Sequence, residues 1–502
     1  MHEVDTTDPA SLDRFRAELI EAGFRGADGG GLWTGPIAPP LRAFTAADEM
    51  TLVIRDGWPY VHPDLRVEGM ASVDHVDDRG VVCLWRRGDP SQQWRTLDGL
   101  RARIAEWCER QATGFAAADA TTDAHAYFGR RSEAMAILPL LALTEDARDG
   151  DHGRLSGQLR RGRYELAADR GAGPLRGRWF YRRDVAAAPR TLGELKALLT
   201  REQRDAFARG RLDLVLLAWG RPREPHGVLL ALGPPSIEHR RRRAAGPVAE
   251  AVEIAPDDRP VLLARAGDDA AWLQHHAITI FGAGAVGSHV ALLLAGLGVG
   301  TLLLVDGDRL RPGNIIRHVV GHEHVGRLKV DAVGDIVVAH APWITVEAHD
   351  SSPWAPRDIR ELAGRADLVV DATGNAGFTE QLSVVLHDAE PMIAAALYRR
   401  GAVARVSRQA PGDTLIAARG GAPNRYPAIP RDDEPEDLSL EAGCSAPVIT
   451  APVTSVAGCA RLTAAVVVDQ LAGTRAYRDE VVEVYLPLDR PPFDRLGLVH
   501  AG

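Results

Sequence analysis

Apolar positions recur along this chain with more than one rhythm. Near the start Leu12, Phe15, Leu19 and Ile20 share one side of a helix, and Met50 to Ile54 reads as a strand. Leu97, Leu100, Ile104, Trp107 and Cys108 then return at steps of three and four, which predicts a helix over 97–112 with one buried face. A middle stretch mixes strand signals such as Gly177-Arg-Trp-Phe-Tyr with a helical pattern over 192–208. It ends in the basic run Arg240 to Arg243, which reads as a solvated linker. Beyond about 256 apolar runs alternate with helical segments, the mark of a parallel sheet with crossover helices. Residues 277–305 are almost wholly apolar, but Gly282, Gly284, Gly287, Gly296, Gly298 and Gly300 cut them into strand, helix and strand, against a membrane span. The pattern predicts three blocks, 1–135, 136–255 and 256–502, in a mixed α/β and α+β multi-domain chain.

Composition agrees with that division: 502 residues exceed what one core holds, and 45% hydrophobic with 25% charged residues is ordinary for globular domains. A net charge of −9 gives no global field for nucleic acid or anionic lipid, so neither partner is expected. The four cysteines, Cys83, Cys108, Cys444 and Cys459, form neither a disulfide framework nor a CxxC zinc site. Reduced thiols and an acidic, polar N-terminus without an apolar core point to a cytoplasmic protein. Of 59 basic residues all but Lys196 and Lys329 are arginine. Codon bias explains most of that, which makes the position of each lysine informative.

The candidate chemistry begins at Ala277-Ile-Thr-Ile-Phe-Gly282-Ala-Gly284-Ala-Val-Gly287, a strand, a tight glycine turn and a helix start. Such a turn lets backbone N–H groups and a helix dipole meet a phosphate, and alone it is compatible with NAD, FAD or ATP. The next strand ends at Asp306, where a carboxylate can take ribose hydroxyls. Asn314, Arg317 and Lys329 follow, a cluster that a hydride-transfer site does not need and three phosphates do. Lysine kept at 329 in a chain that otherwise writes arginine suggests a compact ammonium in that place.

With these residues the last block resembles the adenylating enzymes of the ThiF/MoeB and ubiquitin-activating superfamily, over roughly 256–502. The resemblance implies a Rossmann-like fold, ATP with Mg2+, ribose on Asp306, phosphates on Asn314, Arg317 and Lys329, and an acyl-adenylate of a C-terminal carboxylate as product. Where the family carries a second Asp that supports the metal, this chain reads Asp371-Ala-Thr-Gly374-Asn375, leaving Asp371 or another carboxylate for that role. Family members often carry an acceptor thiol on a crossover loop. Cys444, among glycine, serine and proline after an acidic stretch, fits that better than Cys459 in a small-residue helix. Dimers that borrow an arginine occur in the family, with Arg265 the candidate here.

Residues 1–130 supply a second resemblance. Trp58-Pro-Tyr-Val-His62-Pro63, then Gly80-Val-Val-Cys83-Leu84, Trp94 and a helix, are similar in order to the ubiquitin-conjugating fold, which implies a thioester on Cys83. His75 stands eight residues earlier, where the family has an oxyanion-stabilising Asn. Together the two resemblances imply a conjugating module, a linker domain and an activating module in one chain. The expected partners are a ubiquitin-like protein, or a CD-NTase-type nucleotidyltransferase with a free C-terminal tail, a target amine and a second copy in a homodimer. Bacterial fusion enzymes of cyclic-oligonucleotide (CBASS) antiphage systems and of ubiquitin-like operons look alike in this respect. A stand-alone adenylating enzyme for a peptide or sulfur carrier, a degenerate nucleotide-binding scaffold and, last, an NAD oxidoreductase remain the alternatives.

Overall fold

A computed structural model of the chain describes residues 4–501 apart from 28–30, 72–74, 78, 86–88, 114–123, 169–172, 186–187, 210, 222–223, 234–247, 430–437 and 440–447. It divides into two compact units, Met1–Val261 and Leu262–Gly502.

The first unit opens with the helix Pro9–Glu21. Asp8 caps it by accepting from Ser11 N at 3.0 Å, and proline occupies the first turn, where its missing N–H costs nothing. Leu12, Phe15 and Leu19 are buried as expected, whereas Ile20 points to solvent, one position past the buried stripe. Five antiparallel strands follow as a meander in chain order: β1 (Arg25–Gly26), β2 (Leu32–Pro36), β3 (Glu49–Val53), β4 (Asp64–Arg66) and β5 (Val81–Val82). Alternation along β3 turns Met50 and Leu52 into the core. The helix Leu97–Thr113 closes this core with Leu97, Leu100, Ile104 and Trp107, while Cys108 sits half-buried at its margin.

A closed seven-stranded barrel completes the unit. In chain order its strands are β6 (Arg131–Leu138), β7 (His152–Arg160), β8 (Arg163–Ala168), β9 (Leu175–Arg182), β10 (Leu214–Arg221), β11 (Glu224–Gly233) and β12 (Val248–Pro256). Around the barrel they run β10-β11-β12-β6-β8-β7-β9, and β9 pairs with β10 to close it. The single helix expected over 192–208 is two, Leu192–Leu198 and Arg201–Ala208. Thr200 makes the break: its hydroxyl accepts from Gln203 N at 3.2 Å and Gln203 Oε1 accepts from Thr200 N at 3.0 Å, a capping box that starts a new helix. The basic run Arg240 to Arg243 lies outside the described residues.

The second unit is built on an eight-stranded sheet. Its strands are β13 (Ala277–Phe281), β14 (Thr301–Val305), β15 (Thr345–His349), β16 (Leu368–Asp371), β17 (Met392–Tyr398), β18 (Val403–Gln409), β21 (Glu480–Val484) and β22 (Gly497–Ala501). Two short strands, β19 (Leu438–Ser439) and β20 (Val448–Ile449), pair separately. The order β15-β14-β13-β16-β17 is parallel, and β18, β21 and β22 extend it antiparallel. Chain progress runs outward from β13 to β15, then restarts on the other side at β16. That reversal opens a crevice at the carboxyl ends of β13, β14 and β16.

Apolar cores cover both faces. Beneath one lie Val290, Leu294, Val333 and Val337 with Val456, Leu462 and Val466; beneath the other, Ile359, Phe378 and Leu382. Residues 277–305 form strand, helix (Ala285–Gly296) and strand. The helix Val453–Ala472 has the length and apolar composition to cross a membrane, yet it packs on β17, β18 and Ala285–Gly296 as a core helix.

Candidate functional site

The carboxyl end of β13 turns sharply into the helix Ala285–Gly296. Gly282 has φ +91°, and a Cβ there would lie 2.8 Å from the backbone of Ala372 at the end of β16. At Gly287 a Cβ would come within 1.8 Å of the Gly282 carbonyl oxygen, so this helix can approach the loop only as glycine. Gly284 differs: nothing lies within 4 Å of its would-be Cβ, and it faces the crevice. The helix starts at Gly284 without a side-chain cap, leaving its first N–H groups directed at that space.

The crevice is a cavity of about 340 Å³. Gly282, Gly284, Asp306, Asp308 and Lys329 line one part of it, and Ser351, Ser352, Trp354, Thr373, Asn375 and Phe378 line the other. Asp306 ends β14, with Oδ2 accepting from Ala283 N at 2.8 Å and Oδ1 from Asp308 N at 2.8 Å. Burial pushes its carboxyl above the usual carboxylate range, against the opposing pull of Lys329. Lys329 opens the helix Lys329–His340; its ammonium pairs with Asp308 at 2.7 Å and stands 4.0 Å from Asp306. The other lysine, Lys196, lies over the ring of Phe207 in the barrel unit.

Not every expected residue reaches this cavity. Asn314 and Arg317 belong to the 3-10 turn Pro312–Arg317, where Asn314 Oδ1 accepts from Arg311 N at 3.0 Å; neither lines the cavity, nor does Gly287. His318, next to Arg317, ends the same motif and had no role assigned from the sequence. Its buried ring places Nε2 2.7 Å from the carbonyl oxygen of Ala283, inside the glycine turn. Sequence reading also missed Ser351, Ser352 and Trp354, which follow β15. The rule that ligands sit at the carboxyl ends of parallel strands was the signal available for them.

Asp371 ends β16 on the opposite side of β13 and does not line the cavity either. Thr373 N, Thr373 Oγ1 and Thr379 Oγ1 donate to it at 3.0, 2.7 and 2.5 Å, and burial still pushes its carboxyl above the usual range. Gly374, at φ +67°, adds no side chain. The carboxylates lining the cavity are Asp306, accepting two backbone N–H groups, and Asp308, paired with Lys329. Among the described residues no group of three His, Cys, Asp or Glu could hold a metal ion. Asp371 is not among the residues that line the cavity, so the carboxylates there that could meet a metal carried on ATP phosphates are Asp306 and Asp308.

The cysteines fall into distinct environments. Cys83 is exposed just after β5, and its N–H donates to the carbonyl of His75 at 2.8 Å. His75 is buried with φ +61°, and its own N–H donates to the Tyr127 hydroxyl at 3.3 Å, so the expected pair is adjacent through the backbone. Burial pushes the Cys108 thiol up to about 11 and the Cys459 thiol, fully enclosed, up to about 12, which makes both poor nucleophiles. Cys444 lies outside the described residues. Arg265 is exposed ahead of β13.

Comparison with known proteins bears on this unit. Residues 258–488 match the model of the ThiF family. The chain is 31% identical over 206 residues to "Adenylyltransferase and sulfurtransferase uba4" of Emericella nidulans, covering 40% of this chain and 41% of that protein. It is 34% identical over 125 residues to "Probable adenylyltransferase/sulfurtransferase MoeZ" of Mycobacterium tuberculosis, covering 24% and 32%. The chain thus spans about two fifths or less of the length of these curated relatives. Among solved structures it is similar to PaaA (TM-score 0.35, 21% identity, 46% of this chain and 65% of that one) and to Escherichia coli MccB bound to MccA (0.35, 17%, 48% and 67%). The C-terminal half carries a ThiF-type domain similar to those adenylyltransferases.

Proposed function

We propose that the chain activates the C-terminal carboxylate of a tail-bearing protein with ATP and passes the acyl group along two of its own cysteines to an amine. The observation that carries the first step is the cavity where Gly284, Asp306 and Lys329 converge at the strand ends. Asp306 accepts from ribose hydroxyls, since each of its oxygens keeps a second lone pair after its backbone bond. The amides at Gly284 and the Lys329 ammonium, exchanging Asp308 for phosphate, offset the nucleotide's charge. Trp354, 52% exposed and edge-on to Phe378 with ring centroids 5.6 Å apart, supplies an apolar face for the base. Mg2+ enters on the phosphates of ATP as part of the substrate.

A carboxylate oxygen of the tail attacks the α-phosphorus and pyrophosphate leaves, giving an acyl-adenylate. The Cys444 thiolate displaces AMP to form a thioester, Cys83 takes the acyl group by thiol exchange, and a target amine forms the amide and frees Cys83. The two transfers to thiols each exchange one activated acyl bond for another, so the activation supplied by ATP is kept until the downhill step to the amide. The exposure of Cys83, against the shielding of Cys108 and Cys459, supports its role as acceptor. So does the order of the first domain: helix, meander, Cys83, Trp94, helix. The tail belongs to a ubiquitin-like protein or a CD-NTase-type protein, the enzyme works as a cytoplasmic homodimer, and antiphage defence is its setting.

The test is a nonreducing gel after incubation with ATP and a candidate tail protein. An ATP-dependent, thiol-sensitive adduct should form, vanish in Cys444→Ala, and in Cys83→Ala accumulate on Cys444 without conjugates. No adduct lost in Cys444→Ala would sink the relay. A second reading is favoured by the paired adenylyltransferase and sulfurtransferase names of the relatives: adenylation of a peptide or sulfur carrier, for which Cys83→Ala leaves product formation intact. Absence of pyrophosphate exchange with every carrier would instead make the unit a binding scaffold, the reading that Gly374 invites.

A further inference from the structure

His318 is a buried titratable group in contact with the glycine turn that the mechanism above does not use. Its Nε2 lies 2.7 Å from the Ala283 carbonyl oxygen. A carbonyl only accepts, so Nε2 carries the proton and donates. The ring is neutral, since burial first, with the charges of Lys329 and His289 behind it, holds His318 down at about 4. The imidazole therefore adds no charge of its own at the phosphate site.

What the bond fixes follows from peptide geometry. In a planar trans peptide the C=O and the next N–H point in opposite directions. The Gly282–Ala283 peptide obeys this visibly: its N–H donates to Asp306 at 2.8 Å, and its carbonyl oxygen faces Gly287, where a Cβ would come within 1.8 Å. In the following peptide the carbonyl of Ala283, a residue that is itself buried, is held inward by His318. The N–H of Gly284, which lines the cavity, is thereby turned out.

We propose that His318 is a positioning residue that locks the Ala283–Gly284 peptide so that the Gly284 N–H donates to a phosphate of the bound nucleotide. Without the bond this peptide can flip and present a carbonyl to the phosphate, which repels it. Asp306 and His318 thus set two consecutive peptides of one turn, one from the end of β14 and one from the turn that carries Asn314 and Arg317.

The inference rests on the ATP reading of the cavity, and the experiment separates the two. Binding of ATP and of adenosine, which has no phosphate, is measured by calorimetry for the wild type, His318→Leu and His318→Gln. His318→Leu should bind ATP at least about tenfold more weakly, as for loss of a hydrogen bond to a charged group, with adenosine binding unchanged. His318→Gln, whose amide can still donate, should bind ATP within about threefold of the wild type. Equal loss of both ligands in His318→Leu, no loss of ATP, or no rescue by glutamine would overturn the proposal. A wild type that binds neither ligand overturns the nucleotide reading, and the proposal with it.

Discussion

Asp306 and Asp371 terminate the two strands that flank β13; Asp371 is fully buried and Asp306 half-buried, and desolvation pushes each carboxyl above its ordinary range. Their surroundings give them different work. Asp306 accepts two backbone N–H groups and keeps an edge on the cavity, with a lysine 4.0 Å away. Asp371 is closed over by the hydroxyls of Thr373 and Thr379 and by one backbone N–H, and it does not line the cavity. The same residue type at two neighbouring strand ends lines the cavity in one case and fastens its own loop in the other. What decides between them is which donors the following loop supplies.

The largest effect should come from the open carboxylate. Asp306→Ala removes the anchor of the glycine turn together with the ribose acceptor, two or more charge-assisted hydrogen bonds. ATP binding should fall at least about a hundredfold, and ATP–pyrophosphate exchange with it. Retention of near-normal ATP affinity would mean that the nucleotide does not use this strand end and that the contrast with Asp371 is only one of exposure.

Much of the second unit was legible in the sequence, because its signals are local. At Gly282 and Gly287 backbone geometry dictates glycine, and Gly284, the carboxylate at the next strand end and the lysine at a helix start stand at short, fixed distances along the chain from them. What was not legible depends on direction. Nothing in Asp371-Ala-Thr-Gly-Asn says that the carboxylate turns back to its own loop's threonines rather than into the crevice. Nor does the Asn314 to Arg317 spacing reveal that Asn314 caps the 3-10 turn that contains it. His318 ends the motif that holds Asn314 and Arg317, but its role could not be read until its distance to Ala283 was known. The closed barrel could not be read at all: its strands pair β9 with β10 and β12 with β6 across loops and helices, and such long-range closure leaves no periodic trace. At 192–208 the helical pattern was right and the capping threonine went unnoticed.

The fastening role of Asp371 is tested through its partner. Thr379→Val keeps side-chain shape but removes a donor from a buried carboxylate, which should destabilise the unit by about 1–3 kcal/mol in urea unfolding. ATP affinity should stay within about twofold. If ATP binding fell as steeply as in Asp306→Ala while stability held, Asp371 would be acting on the nucleotide, and the two carboxylates would be alike after all.

The smallest effect is a pH dependence, and its sign is fixed by the direction of the shift. A carboxyl whose folded pKa stands above its unfolded value contributes stability that is fully present below the unfolded value, about 3.9, and is lost as pH rises through the folded one. Asp371→Asn stays neutral throughout. Its stability relative to the wild type should therefore improve as pH climbs from about 4, read as the difference between the two urea midpoints at each pH. Asp306→Asn should show a shallower trend of the same sign, because Lys329 favours the charged form of Asp306 and no cation is among the causes acting on Asp371. A flat difference for Asp371 would mean that the threonine and backbone donors alone hold its anion as well as water does, and the distinction between the two strand ends would then lie in access and not in charge.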